Sequence, residues 1–370
     1  MPALSRVSDP VHRAARLARR ARRAVPGVAR DVRHARANRR ERDRLRAEVE
    51  DLRAQARGLL GDIGLLRTRA EAAETARRDL ETENADVWAR LTPYLRGWPP
   101  GHFYSPIPDL EEVRRRDAAI FAPPPPVLPD VPLRAEGQVA VFRRPARFYA
   151  DQPFTEEPAE GRRYGFDNPY FSYGEALVYH ALLREVRPAR VVEVGSGHSS
   201  AVLLDTNELF LDGATACTFV EPYPERLAAL LRSGDRVRLL RAPVQEVDPA
   251  VFAALEPGDV LFVDSTHVAK VGSDVLHLLF GVLPGLPAGV WIHFHDVHHP
   301  FEYPREWVLA GRAWNEAYLL RALLGAGSRY EIAFFASYFA RFQSDELERG
   351  MPLAARNPGS SLWLRTAEGP

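Results

Sequence analysis

The sequence predicts an α/β chain in which a doubly wound sheet of seven strands follows an N-terminal α-helical coiled coil. Three observations carry this expectation. From Tyr173 onward, strand and helix patterns alternate almost to the C-terminus. Between Leu45 and Leu91 the apolar positions step by four and three without a slip. The first strand pattern ends in a pair of glycines, Gly195 and Gly197, at a strand-to-helix turn. A chain of 370 residues with 46% apolar content has ample material for a buried core.

Residues 1–36 form a basic segment. The first fifty residues hold fifteen arginines against six acidic residues, although the net charge of the whole chain is zero. Nucleic acid or an anionic membrane are conceivable partners for such a patch. A solvated helix leading into the coil is the favoured reading. The coil occupies residues 37–93. One seam set is Leu45, Leu52, Leu59, Leu66, Ala73, Leu80 and Val87; the other is Val49, Ala56, Ile63, Ala70, Arg77, Asn84 and Leu91. Leucine at d and a buried asparagine at a predict a parallel homodimer. Gly58, Gly61 and Gly64 lie off the seam, each costing about 1 kcal/mol of helix stability, and a local break is expected there.

Residues 94–163 read as a proline-rich linker and extension. The run Pro123 to Pro126 is stiff, while Gly101-His-Phe-Tyr-Ser-Pro106 is aromatic enough to be expected to pack on the main domain. The main domain spans 164–370. Strands are expected at 190–194, 217–220, 237–240, 260–263, 290–295, 330–336 and 361–365. Helices are expected at 176–186, 199–210, 225–232, 249–255, 273–283 and 307–324. Crossover helices between the first six strands imply parallel pairing. No helix pattern of the usual kind separates the last two, so the seventh is expected to run antiparallel.

The single cysteine, Cys217, excludes a disulfide within the chain and a cysteine metal cage. No apolar run approaches the roughly 18 residues of a membrane span, and the basic N-terminus lacks the apolar centre of a secretory signal. A cytoplasmic location is expected. Only one of the 49 basic residues is a lysine, Lys270.

The chemistry begins at Glu193-Val-Gly-Ser-Gly-His-Ser-Ser200. Paired glycines let a ligand approach the backbone, and the following helix presents free N–H groups. Glu221 ends the second strand, where a carboxylate can accept both hydroxyls of a ribose. An adenosine-type ligand follows. A dinucleotide is the alternative, opposed by Ser200 at the third glycine position and by the acidic Glu193, which suits a cationic ligand better than a pyrophosphate.

Glu193-Val-Gly-Ser-Gly resembles the first motif of class I, Rossmann-like, S-adenosylmethionine-dependent methyltransferases, and Glu221 resembles their ribose-binding acid. More narrowly, Asp167-Asn-Pro-Tyr-Phe-Ser-Tyr-Gly174, Val263-Asp-Ser-Thr-His-Val-Ala-Lys-Val-Gly-Ser-Asp274, His293-Phe-His-Asp296 and Pro304-Arg-Glu-Trp307 are similar to an uncharacterised bacterial group of these enzymes. The resemblance reaches back to Gly101, excludes the coil and implies no substrate. It implies that Glu193, Gly195, Ser196 and Gly197 line the methionine end of the donor, that Glu221 holds its ribose, and that Val244 and Gln245 flank its adenine. Tyr173 and Gly174 are expected to close over it. Ser199 departs from the motif, since many members carry a third glycine there.

Chemistry is expected at the carboxyl ends of the fourth and fifth strands, from Asp264, His267, Lys270, His295 and Asp296. Histidine is a suitable base near neutral pH, and a lysine becomes one if buried. A divalent cation such as magnesium is the other option, held by Asp264, Asp296 and His295. Val297, where metal-dependent relatives usually carry a second acid or amide, counts against it. His298 and His299 read as loop histidines. The expected activity is O-methylation of a small-molecule or glycan hydroxyl. A coiled-coil scaffold with a non-catalytic nucleoside-binding domain is the alternative, and an NAD-dependent oxidoreductase a weaker one.

Overall fold

The computed structural model describes residues 10–325 and 327–367; residues 1–9 of the basic segment 1–36, and most of its side chains before residue 33, lie outside the description. The chain divides into two compact units, Met1–Gly97 and Trp98–Pro370. Residues 98–163 fall in the second unit, with the sheet.

The described residues of the first unit form one helix, Pro10–Gly97. It runs through Gly58, Gly61 and Gly64 without the expected break. Isolated glycines weaken a helix but leave every N–H and C=O in place to bond. The seam leucines are exposed in the single chain, Leu59 at 63% and Leu66 at 62%.

The second unit is built on a seven-stranded sheet: β1 (Arg190–Val194), β2 (Ala216–Val220), β3 (Val237–Leu240), β4 (Val260–Val263), β5 (Trp291–Phe294), β6 (Tyr330–Phe335) and β7 (Leu362–Thr366). Their order is β3-β2-β1-β4-β5-β7-β6. The strands from β3 to β5 pair in parallel. As expected, β7 is antiparallel, inserted between β5 and β6.

Alternation sorts the side chains between two cores. Val192, Val194, Leu261, Val263, Ile292 and Phe294 face one. Val191, Phe219, Val260, Phe262 and Trp363 face the other, against the helices Tyr173–Val186 and His198–Phe210. His293 and His295 alternate with Ile292 and Phe294, so they turn toward this second layer.

Two regions depart from the sequence reading. The helix expected over 307–324 is two helices, Arg305–Leu309 and Glu316–Leu323. Between them the chain is drawn onto the loop after β4: the Asn315 and Glu316 N–H groups donate to the His267 carbonyl. The Asn315 side chain also bonds both polar backbone groups of Ala269. Between β6 and β7 stand two further helices, Ala336–Phe342 and Ser344–Gly350, that the pattern does not announce.

The extension meets the rest of the unit through polar contacts at Pro125 and Pro126, and its apolar packing on the first core begins with Leu128, Val131 and Leu133. Residues 101–106 do not pack as expected. Phe103 and Tyr104 are 81% and 64% exposed, and they stack with His102 and Trp98.

Candidate active site

Glu193 is fully buried. Its Oε1 accepts from the hydroxyls of Ser199 and Ser200, while Oε2 has no partner. Burial outweighs these hydroxyls and pushes its carboxyl up to about 8. Ser199 thus has a reason to replace glycine: its hydroxyl anchors the acid. At Gly195, φ is +80° and a β-carbon would sit 1.7 Å from the Asp264 carbonyl oxygen, so no side chain is admissible. Glu221 fixes the loop, accepting from Ser196 N–H at 3.0 Å and Tyr223 N–H at 2.9 Å.

Gly195 and Glu221 border a cleft of about 420 Å³ whose wall also includes Val244, Gln245, Asp264 and Lys270. Gln245 spans it, donating to the Gly272 carbonyl at 2.8 Å. Glu193, Ser196 and Gly197 stand behind the wall. Tyr173 and Gly174 are not brought to it. The Tyr173 hydroxyl bonds Glu156 and Arg356, and Gly174 abuts Pro358 so closely that a β-carbon would lie 2.6 Å from its oxygen. Lys270 is exposed, so the burial that a lysine base requires is missing.

A second cleft, about 590 Å³, is lined by Glu175, His295, Asp296, His298, Trp307 and Arg341 among others. A chain of charged groups joins the two clefts. His267 is buried, with Nδ1 2.9 Å from Glu316 and Nε2 3.4 Å from Asp264 and 3.7 Å from Asp296. His295 lies 3.4 Å from Glu175 through Nδ1 and 3.6 Å from Asp296 through Nε2. Burial opposes the charge on both rings, but the carboxylates win, raising His267 to about 10 and His295 to about 9. Asp264 is lowered to about 2, because the neighbouring imidazoles outweigh its burial. His267 and Asp296 both adopt positive φ, +60° and +56°. Such backbone costs roughly 1–3 kcal/mol per residue and persists where the surroundings over-determine it.

Two expectations change here. As imidazolium ions at neutral pH, His267 and His295 hold a proton instead of accepting one. The proposed metal ligands also do not fit a cation. The His267 ring is within 4 Å of both Asp264 and Asp296 and supplies the positive charge between them, while His295 is turned to Glu175. Among the described residues no three His, Cys, Asp or Glu side chains are arranged to hold a metal.

The remaining histidines sort differently from their sequence reading. His293 is core: it stacks on Phe262 with centroids 3.8 Å apart and bonds the Ser361 hydroxyl. His299 meets the Pro125 carbonyl at 2.7 Å. His298, read as a loop residue, lines the second cleft with Nε2 buried and without a partner. Burial lowers it to about 4, so it is neutral. Glu175 and Glu316, also missed, are acids in the first turns of their helices, a position that helix-dipole arguments alone explain without a site. Gly359 completes the wall. Its φ is +77°, and a β-carbon there would strike the Glu175 side chain.

The sequence pattern of the methyltransferase-domain family matches residues 192–297, from β1 to the turn after β5. An uncharacterized protein of Archaeoglobus fulgidus is 35% identical over 170 residues, covering 43% of this chain and 74% of that protein. The chain belongs to the same family as this archaeal protein, and its residues 192–297 form a methyltransferase domain. Among solved structures, the plantazolicin methyltransferase BpumL in complex with a triazolic desmethylPZN analog and SAH aligns at 13% identity, over 64% of this chain and 99% of that one, with a TM-score of 0.34. A putative methyltransferase from Thermobifida fusca aligns at 13% identity over 67% and 99%, with a TM-score of 0.27. No described helix is long and apolar enough to cross a membrane.

Proposed function

We propose that this chain transfers the methyl group of S-adenosylmethionine to a hydroxyl oxygen of a small-molecule or glycan acceptor. The observation that carries the reading is the first cleft, which gathers Gly195, Glu221, Val244 and Gln245 at the carboxyl ends of parallel strands. Its volume of about 420 Å³ is that of a small-molecule site. The residues fit the donor. Glu221 accepts from the ribose, Gly195 leaves the floor open, and a cationic group nearby would favour the ionised form of the buried Glu193, whose Oε2 has no partner.

When bound, the donor supplies an electrophilic methyl group. This chain's residues then have two tasks on the acceptor side. The second cleft aligns the hydroxyl, and a base takes its proton as the carbon–oxygen bond forms. We assign the base to His298, whose neutral Nε2 is free. The attacked oxygen becomes strongly acidic as it gains the methyl group, so a weakly basic imidazole suffices. Asp296 and the imidazolium ions of His267 and His295 hold the surrounding charge in place.

Calorimetric titration with S-adenosylhomocysteine tests the donor. Ligand at a hundred times its dissociation constant should stabilise the domain by about 2.7 kcal/mol. Glu221→Ala should weaken binding roughly ten- to hundredfold, as lost hydrogen bonds to a charged group imply. Binding of NAD in place of the adenosyl ligand would replace this reading with the oxidoreductase one.

For the base, His298→Gln should leave donor affinity intact and slow label transfer from methyl-labelled donor into a hydroxyl-rich extract by about 10²–10⁴-fold. A rate within about threefold of wild type, well short of what a general base supplies, would remove His298 from that role.

A further inference from the structure

The long helix carries a face that nothing in its own unit covers. Leu45, Leu52, Leu59, Ile63, Leu66 and Leu80 are 52–64% exposed in the single chain. With Val49, Val87 and Leu91 they follow one seam of alternating three- and four-residue steps along Pro10–Gly97. That period matches a supercoiled partner helix, not the sheet of a globular core, which calls for a broader stripe.

The charges flanking the seam identify the partner. In a parallel, unstaggered pair, each g residue faces the e residue five positions later on the other helix. Here Glu41, Glu48, Asp62 and Arg69 would face Arg46, Arg53, Arg67 and Glu74 of a second copy. All four contacts join opposite charges. The remaining g–e contacts along the seam include an uncharged residue, Gln55, Leu60, Ala76, Trp88 or Leu95, so no g–e contact joins like charges. An antiparallel pair with the same overlap instead brings Arg67 onto Arg67 and Arg69 onto Arg69 at its twofold axis. Of the seam's two polar positions, Asn84 supports the parallel register, whereas Arg77 there meets its own copy and must be neutralised. Asn84 meets its own copy, where paired amides satisfy each other. Arg77 has Glu81 on its own helix 3.6 Å away to neutralise it. We propose that the Leu45–Leu91 seam is the contact between two copies of this chain, paired parallel and in register over about seven heptads.

This inference is independent of the reaction, so its test can fail while methyl transfer stands. The full chain should sediment at micromolar concentration with twice its 41.5 kDa mass. Asn84→Cys should cross-link completely on mild oxidation, because a-position cysteines meet only in a parallel, in-register pair. The native Cys217 is buried and does not compete. The double variant Leu59→Glu, Leu66→Glu should halve the mass while unfolding of the sheet unit, followed by tryptophan fluorescence, stays unchanged. A wild-type mass of 41.5 kDa, a trimer, or an Asn84→Cys chain that stays unlinked would each overturn the proposal.

Discussion

His267→Asn is expected to destabilise the sheet unit by about 3–5 kcal/mol at pH 7, the usual effect of removing one member of a buried ion group. Asparagine tolerates the left-handed backbone that His267 adopts, so the substitution removes the charge and spares the turn. What remains is Glu316 without its cation, and Asp264 and Asp296 with His295 alone to offset their charge. The pH dependence separates this cause from lost packing. The His267 pKa is raised to about 10 from an unfolded value near 6.5. Its contribution is therefore complete below pH 6.5 and lost as pH climbs to about 10. At about 1.36 kcal/mol per unit, the ceiling is about 5 kcal/mol. His295, raised to about 9, adds a similar fall over a narrower window. Asp264 works in the opposite sense, stabilising above about pH 4 and losing that effect as pH drops to about 2. Denaturant titrations from about pH 5 to 10 should show wild-type stability falling toward the alkaline end. The curve of the His267→Asn variant should be lower at about pH 6 and converge on the wild-type one by about pH 10. Parallel curves would mean that His267 is neutral and that its role is packing alone.

The backbone plan is legible in the sequence because local signals agree with one another. Apolar runs such as Val191 and Val192 at β1, or Leu261 and Phe262 at β4, sit between turn residues and helical spacings, and the observed strands follow them. The glycine turn is legible for the same reason, since the restriction at Gly195 is written in its own residue type. The wall of the first cleft partly follows, through Glu221, Val244 and Gln245. Roles set by long-range charge do not. Glu316 reaches His267 across 49 positions, and Glu175 reaches His295 from a helix far earlier in the chain. Those contacts turn two expected bases into cations. His298 escapes the sequence reading because a histidine in a loop has no local mark of burial, and burial is what keeps its ring neutral. The split at Asn315 is hidden too, because a docking contact with Ala269 overrides a continuous helical pattern.

Arg163→Met is expected to have the largest effect on the fold itself. The sequence reading begins the domain at Tyr164, one residue after this arginine, since nothing local marks Arg163 among the other arginines. Its side chain is only 3% exposed, and its guanidinium holds Asp205 at 2.7 Å, Glu208 at 2.9 Å and Asp235. Asp205 also accepts the backbone N–H groups of Arg163 and Tyr164. One cation thus ties the entry to the domain, the helix His198–Phe210 and the turn before β3. Methionine fills much of the same volume but leaves Asp205 and Asp235 as buried or nearly buried carboxylates without a counter-ion. A loss of about 3–5 kcal/mol follows. Lysine should rescue little, because a single ammonium cannot reproduce a fork that meets three acids. Pairing Arg163→Met with Asp205→Asn should cost clearly less than the two single changes added together, since the second removes the charge that the first strands. A strictly additive double variant would show that Asp205 is held by its two backbone donors and that the guanidinium acts elsewhere.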